Sequence, residues 1–126
     1  MSKVLLVADA DWVKNEVRGA LALGDWDIEI VEDPRSVTDV IADQAPEAVI
    51  VDLQVGSMGG MAVIRAIRQT FENDRPRTVL LLDRSADDFL ARRAGADAGV
   101  AKPITAHRLR EALAPQPASI GASEEE

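Results

Sequence analysis

Residues 48–60 read AVIVDLQVGSMGG, an unbroken apolar run that ends at one acid, Asp52, and continues into a glycine-rich stretch. Short apolar runs bounded by turn residues are typical of strands that are buried on both faces. We therefore predict a buried strand whose carboxyl end carries the Asp52 carboxylate, with a mobile loop placed to cover it.

Other strands are predicted along the chain in both directions from this one. They alternate with segments whose apolar residues return at helical spacing, and we predict the other strands at 3–8, 27–31, 78–82 and 98–101. Five strands alternating with five helices predict an α/β domain with a parallel sheet. Right-handed crossovers would cover both faces of that sheet with helices, which gives a three-layer sandwich.

Several polar residues and glycines mark where the predicted helices begin and end. Asp11 is placed to cap the first helix, and Asp33 with Pro34 is placed to open the second. Ser85 begins the sequence SADD, which is typical of a capping box, although a shift of register would let its hydroxyl face the strand ends. Gly95 is placed to stop the fourth helix.

The composition limits the class of protein and its partners. The chain has 126 residues, 47% of them hydrophobic, and a net charge of -8 without any cysteine. It is long enough for one domain, which we place at residues 1–114. The acidic balance argues against a nucleic-acid partner, and no apolar stretch reaches the ~20 residues of a membrane span. We expect a cytoplasmic protein with a disordered acidic tail at residues 115–126.

Charged residues stand at the predicted carboxyl ends of four strands: Asp9, Asp52, Asp83 and Lys102. A sheet with strand order 2-1-3-4-5 would bring them to one edge, where such folds bind ligands. A single acid in this position is more often a helix cap or a solvated loop residue. Several together could bind Mg²⁺, and an aspartate beside a metal and a lysine could become an aspartyl phosphate.

Three segments carry a resemblance to a known family: KVLLVAD, VIVDLQVGSMGG and AGADAGVAKP. Over residues 3–113 the chain resembles the receiver domains of two-component response regulators, the CheY-like family, which have a flavodoxin-like (βα)₅ fold. The resemblance implies that a histidine kinase transfers a phosphoryl group to Asp52 in the presence of Mg²⁺. It also implies that Lys102 contacts the phosphate, and that Asp9, Asp52 and the backbone carbonyl of Gln54 hold the metal.

The chain departs from the family's pattern at four positions. Ala8 replaces the first of two adjacent acids, so we expect a weak Mg²⁺ site. Gly56 stands where proline is common. Asp83 replaces the usual threonine or serine, and Gly99 replaces an aromatic residue, so the switch formed by a hydroxyl and an aromatic ring is altered. The segment between Asp83 and AGAD is also a few residues shorter than usual.

Asp83 has three open interpretations. Its carboxylate could point away from the site and pair with Arg84 or another base. It could be protonated, because crowded carboxylates often are. It could also imitate a permanently charged state, which would make a phosphoryl group unnecessary.

Two functions agree with these residues. One is a stand-alone receiver in a phosphorelay, with a histidine kinase or another protein as partner. The other is a phosphorylation-independent module that binds proteins as a scaffold. Relatives often dimerise through the face made by the fourth and fifth helices, so a homodimer is a further expectation. We do not predict an enzyme, because a haloacid-dehalogenase-like phosphohydrolase needs an acid where Gln54 stands.

Overall fold

The fold alternates strands and helices along the whole of the described chain. A computed structural model describes residues 2–56 and 58–114, and the predicted tail at residues 115–126 lies outside them. The elements in chain order are β1 (Ser2–Val7), α1 (Asp11–Ala20), β2 (Trp26–Val31), α2 (Val37–Gln44), β3 (Ala48–Asp52), α3 (Gly60–Phe71), β4 (Arg77–Leu82), α4 (Asp88–Ala94), β5 (Ala98–Ala101) and α5 (Ala106–Leu113).

The strands form one parallel sheet in the order β2-β1-β3-β4-β5. The register aligns Leu6 with Ile50 and Asp52 with Leu81. The predicted flavodoxin-like fold class is therefore confirmed. Because all five strands run in the same direction, their carboxyl ends meet at one edge of the sheet.

Helices cover both faces of the sheet and bury two separate cores. On one face, α1 and α5 pack against alternate residues of the strands, with Val13, Val17 and Leu109 fully buried. On the other face α2, α3 and α4 bury a second set that includes Ile64 and Ile67. Burial on both faces explains why the sequences of the central strands β3 and β4 are almost continuous apolar runs. No helix among residues 2–56 and 58–114 is long and apolar enough to cross a membrane.

Two of the predicted helix signals act as expected. The Asp33 carboxylate accepts a hydrogen bond from the backbone N–H of Arg35 at 3.0 Å, which opens a 3₁₀ turn ahead of α2. Gly95 ends α4 in the left-handed conformation, at φ 88°, which suits glycine because it has no Cβ.

Two other predicted caps are wrong. Asp11 is the first residue of α1, whose capping residue Ala10 offers no side-chain hydrogen bond, and the Asp11 carboxylate lies 3.5 Å from the Lys14 ammonium instead. Ser85 begins a 3₁₀ turn before α4, and neither the turn nor the helix has a side-chain cap. The capping-box interpretation of SADD fails because the chain enters α4 through that turn.

Gly60 lets α3 begin directly against the end of β3. A Cβ on Gly60 would lie 2.5 Å from the carbonyl oxygen of Asp52 and 2.9 Å from the Cα of Leu53, and both are backbone atoms. A larger residue would therefore push the helix away from the strand that carries Asp52.

We predict that Gly60→Ala lowers the free energy of unfolding by about 1–3 kcal/mol, because the backbone has to shift. Gly19→Ala is the matched control. Gly19 is exposed in α1, and a Cβ added there would have no atom within 4 Å, so alanine should raise stability by about 0.5–1 kcal/mol. Urea denaturation of both variants checks the pair, and equal effects would contradict the close contact at Gly60.

Candidate functional site

The four charged residues predicted at strand ends lie at one edge of the sheet. Asp52 is the last residue of β3, Asp83 directly follows β4, and Lys102 directly follows β5. Asp9 comes two residues after β1, which is the next strand on the other side of β3. The structure therefore brings the four charged residues to the same edge of the sheet, as the sequence predicted.

Asp52 and Lys102 form a buried ion pair at the centre of the site. The Lys102 ammonium donates to Oδ1 of Asp52 at 2.6 Å, and the two side chains are only 8% and 2% exposed, the lysine first. The backbone N–H of Lys102 donates to the carbonyl of Leu82 at 2.9 Å, which ties the lysine to the adjoining strand. The positions of Asp52 and Lys102 at the ends of β3 and β5 therefore place the two charged groups in contact.

Asp83 faces the same lysine. Its Oδ1 accepts a hydrogen bond from the Lys102 ammonium at 3.0 Å, and its Oδ2 accepts one from the side-chain amide of Gln54 at 2.6 Å. The hydrogen bond from Gln54, followed by that from Lys102, lowers the pKa of Asp83 below its usual value. Asp83 is therefore ionised near neutral pH and joins the charged cluster.

These contacts decide against two of the three interpretations of Asp83. The carboxylate does not turn away to pair with Arg84, whose guanidinium lies 3.1 Å from Asp87. It is not held in the protonated form either, because its pKa is lowered. The interpretation that agrees with the structure is a fixed negative charge beside Lys102.

Lys102 keeps its positive charge although it is buried. Burial lowers the pKa of its ammonium, but the hydrogen bonds to Asp52 and Asp83 outweigh that effect, and the pKa lies above its usual value. The indole ring of Trp12 lies over the ammonium, 5.2 Å from Nζ to the ring centroid. Such a cation–π contact adds to the stabilisation of the charge. Trp12 is itself 53% exposed, so it forms part of the mouth of the site.

Asp9 is tied to the loop that follows β3. Its Oδ2 accepts a hydrogen bond from the backbone N–H of Gly56 at 3.0 Å. Gly56 has a φ of +52°, in the left-handed region that favours glycine. Proline could neither adopt that angle nor donate the hydrogen bond, which gives a physical reason for glycine at this position.

The oxygen atoms at the site are of the kind that binds Mg²⁺. Carboxylates of Asp9 and Asp52 and the backbone carbonyl of Gln54 are hard donors, and Mg²⁺ commonly uses one or two carboxylates with retained waters. Ala8 is fully buried and adds no donor. Within the described part of the chain, no group of three or more His, Cys, Asp or Glu side chains is suited to a metal ion. The residues that could hold Mg²⁺ here are therefore two aspartates and one backbone carbonyl.

Gly99 allows α4 to pack closely against β5. A Cβ at this position would lie 3.1 Å from atoms of Leu82, Asp88 and Ala91. A groove of about 670 Å³ runs along β5 between α4 and α5, and Arg108 and Glu111 line its α5 side.

Sequence reasoning missed three contacts in this site: the side-chain amide of Gln54 with Asp83, the backbone N–H of Gly56 with Asp9, and the Trp12 ring with Lys102. It assigned Gln54 only through its backbone carbonyl. No residue pattern predicts a hydrogen bond between two loops, because such a bond depends on the conformations of the loops. The short spacing of Gln54 from Asp52 was the only available signal.

We predict that Lys102→Met lowers the free energy of unfolding by about 3–5 kcal/mol at pH 7, because it leaves the buried Asp52 carboxylate unpaired beside Asp83. Adding Asp52→Asn to the same chain should recover most of that loss, since the amide carries no charge. Urea denaturation of both variants checks this. A double variant as unstable as Lys102→Met would show that the unpaired charge is not the cause.

Comparison with known proteins agrees with this geometry. The family described as response regulator receiver domain matches residues 4–114. The response regulator MprA of Mycolicibacterium vanbaalenii is 32% identical over 108 residues, which is 85% of this chain and 46% of that protein. The chain thus spans about half the length of the curated relatives it matches.

Two solved structures share the fold. The chemotaxis response regulator CheY4 of Vibrio cholerae superposes with a TM-score of 0.77 at 21% identity, covering 90% of this chain and 96% of that one. The receiver domain of the sensor histidine kinase PA1611 from Pseudomonas aeruginosa, solved with a magnesium ion in its active-site cleft, gives 0.76 at 23% identity, covering 89% and 93%. With the family match spanning the domain, this chain belongs to the response-regulator receiver domains of two-component signalling.

Proposed function

We propose that this chain is a phosphorelay receiver in which Asp52 accepts the phosphoryl group, and that Asp83 makes this phosphorylation weak. The observation that carries the proposal is the Lys102 ammonium, which donates to both Asp52 and Asp83. The cation that would contact a phosphoryl group on Asp52 is therefore shared with a second carboxylate. The donor is the phosphohistidine of a histidine kinase, and output is by contact with another protein.

The proposed transfer forms one bond to phosphorus and breaks another. A carboxylate oxygen of Asp52 attacks phosphorus, a P–O bond forms, and the P–N bond to the donor imidazole breaks. The imidazole nitrogen keeps the electron pair of that bond and takes a proton from water. Lys102 stays protonated throughout and offsets the charge on the transferring oxygens.

Asp9, Asp52 and the backbone carbonyl of Gln54 would hold Mg²⁺. When bound, the ion would neutralise charge on the phosphoryl oxygens. Asp9 enters this role with one oxygen already bonded to the backbone N–H of Gly56, so the loop after β3 and the metal ligand would be positioned together. With buried Ala8 in place of an acid, the site offers few ligands, in line with weak affinity.

Asp83 would oppose the product of this reaction. Two unit negative charges about 4 Å apart repel by about 4 kcal/mol at an effective dielectric of about 20. An aspartyl phosphate carries more than one charge, so the repulsion grows unless Lys102 or a metal compensates. The side chain of Asp83 is 38% exposed, so solvent screening makes the repulsion weaker than about 4 kcal/mol per pair of unit charges.

A second candidate is a module that binds its partner without phosphorylation. The observation that favours it is the ionised Asp83 carboxylate at Lys102, because this places a fixed anion where the lysine would otherwise meet a phosphoryl group. In that case the surface near α4 and α5 would be ready for a partner at all times. The groove along β5 lies on that surface, and a second copy of the chain is one candidate occupant.

We predict that the phosphoryl mimic beryllofluoride with Mg²⁺ binds the native chain weakly, and that Asp83→Thr strengthens binding by about tenfold because it removes the repelling charge. The titration is followed by NMR through the Trp12 indole N–H and the backbone amides of residues 53–56. Asp52→Asn is the control and should abolish binding in either background.

The possible results separate the two candidate functions. Tight stoichiometric binding by the native chain would mean that Asp83 does not hinder phosphorylation. Equal affinities of the native chain and Asp83→Thr would exclude repulsion as the obstacle. A chain that binds the mimic in neither form would support the phosphorylation-independent module instead.

A further inference from the structure

The side chain of Gln54 connects two loops across the mouth of the site. Gln54 follows β3 by two residues and Asp83 directly follows β4, and the Gln54 amide nitrogen donates to Oδ2 of Asp83 at 2.6 Å. The contact joins the loop after Asp52 to the loop that leads into α4. It uses the side chain of Gln54 and leaves its backbone carbonyl out of the interaction.

Both oxygens of Asp83 are thereby used. Oδ1 accepts from the Lys102 ammonium at 3.0 Å, while Oδ2 accepts from Gln54. The Asp83 side chain is 38% exposed, so without a second contact it has room to turn towards solvent. A carboxylate held at both oxygens is fixed in orientation, and hydrogen bonds to an ionised acceptor are stronger than neutral ones.

We propose that Gln54 is a positioning residue, whose side-chain amide holds Asp83 against Lys102 and so limits how readily a phosphoryl group on Asp52 engages that lysine. This rests on the proposed function of Asp52 as phosphoacceptor. The chain of contacts runs from Gln54 to Asp83, from Asp83 to Lys102, and from Lys102 to Asp52.

The geometry around Lys102 explains why the position of Asp83 matters. The ammonium has three protons, and it donates hydrogen bonds to two carboxylates, while the centroid of the Trp12 ring lies 5.2 Å from Nζ. A phosphoryl group on Asp52 would bind to the Lys102 ammonium only if Asp83 moved away from it. Each contact that keeps Asp83 in place therefore weakens binding of the phosphoryl group.

Gln54→Met tests this role, since it keeps the length of the side chain, removes its donor and leaves the backbone carbonyl in place. We expect Gln54→Met to bind beryllofluoride with Mg²⁺ about three- to tenfold more tightly than the native chain, because Asp83 is released. In an Asp83→Ala background, Gln54→Met should have no further effect. Gln69→Met, at an exposed position of α3, is the matched control and should leave the affinity unchanged.

The non-additivity of the two substitutions decides whether Gln54 acts through Asp83. An unchanged affinity of Gln54→Met beside a raised affinity of Asp83→Ala would overturn the role of Gln54 and leave the proposed function standing. An equal gain from Gln54→Met in both backgrounds would also overturn it, since the effect would then not pass through Asp83.

A second measurement does not depend on phosphoryl chemistry. The side-chain NH₂ resonances of Gln54 in a ¹⁵N spectrum should lie away from those of the solvated Gln69 amide and should move towards them in Asp83→Ala. Resonances that do not move would refute the contact itself. If they move while no variant binds the mimic, the proposed function fails, and the role of Gln54 is confined to holding Asp83 at Lys102.

Discussion

The site depends on one positive charge that is shared by two carboxylates. The side chain of Lys102 is 8% exposed, and it stays ionised because Asp52 and Asp83 both accept hydrogen bonds from it. Buried charges are tolerated only when they are paired, so neither acid can be considered apart from the lysine. A change in the charge of one of the three residues alters the environment of the other two.

The sheet provides the accuracy that this sharing requires. Asp52 and Lys102 stand at the ends of strands whose residues are fixed by parallel pairing and by cores on both faces. Asp83 and Gln54 stand just beyond strands, in loops, and are exposed to solvent. The buried pair is thus set by the fold, whereas the Asp83 contact is set by side chains that could rearrange. Any conformational change at the site would therefore involve the loops that carry Gln54 and Asp83.

The sequence was sufficient for the elements, the strand order and the meeting of four charged residues at one edge. The elements follow from apolar runs and helical spacing, which report directly on burial. The strand order, and with it the meeting of the charged residues, came from the resemblance to receiver domains. The sequence was not sufficient for the direction of the Asp83 side chain, the hydrogen bond from Gln54, the start of α1 at Asp11, or the 3₁₀ turn at Ser85. Those depend on backbone angles of short loops and on competition between partners, such as Asp11 between capping α1 and pairing with Lys14. Local patterns do not contain that information.

The departures from the family's pattern have a combined electrostatic meaning. Ala8 removes an acid beside Asp9, on the side where a metal would be held, and Asp83 adds one beside Lys102, on the side where phosphoryl oxygens would lie. Compared with the family's pattern, the site has one acid fewer beside Asp9 and one acid more beside Lys102, so the number of acids around Asp52 is unchanged. A bound metal would lose one source of attraction and a phosphoryl group on Asp52 would meet an added repulsion, so both changes would destabilise the proposed aspartyl phosphate. Because Gln54 and Lys102 hold the added acid in the ionised form, the site has a built-in anion in place of the neutral hydroxyl typical of the family.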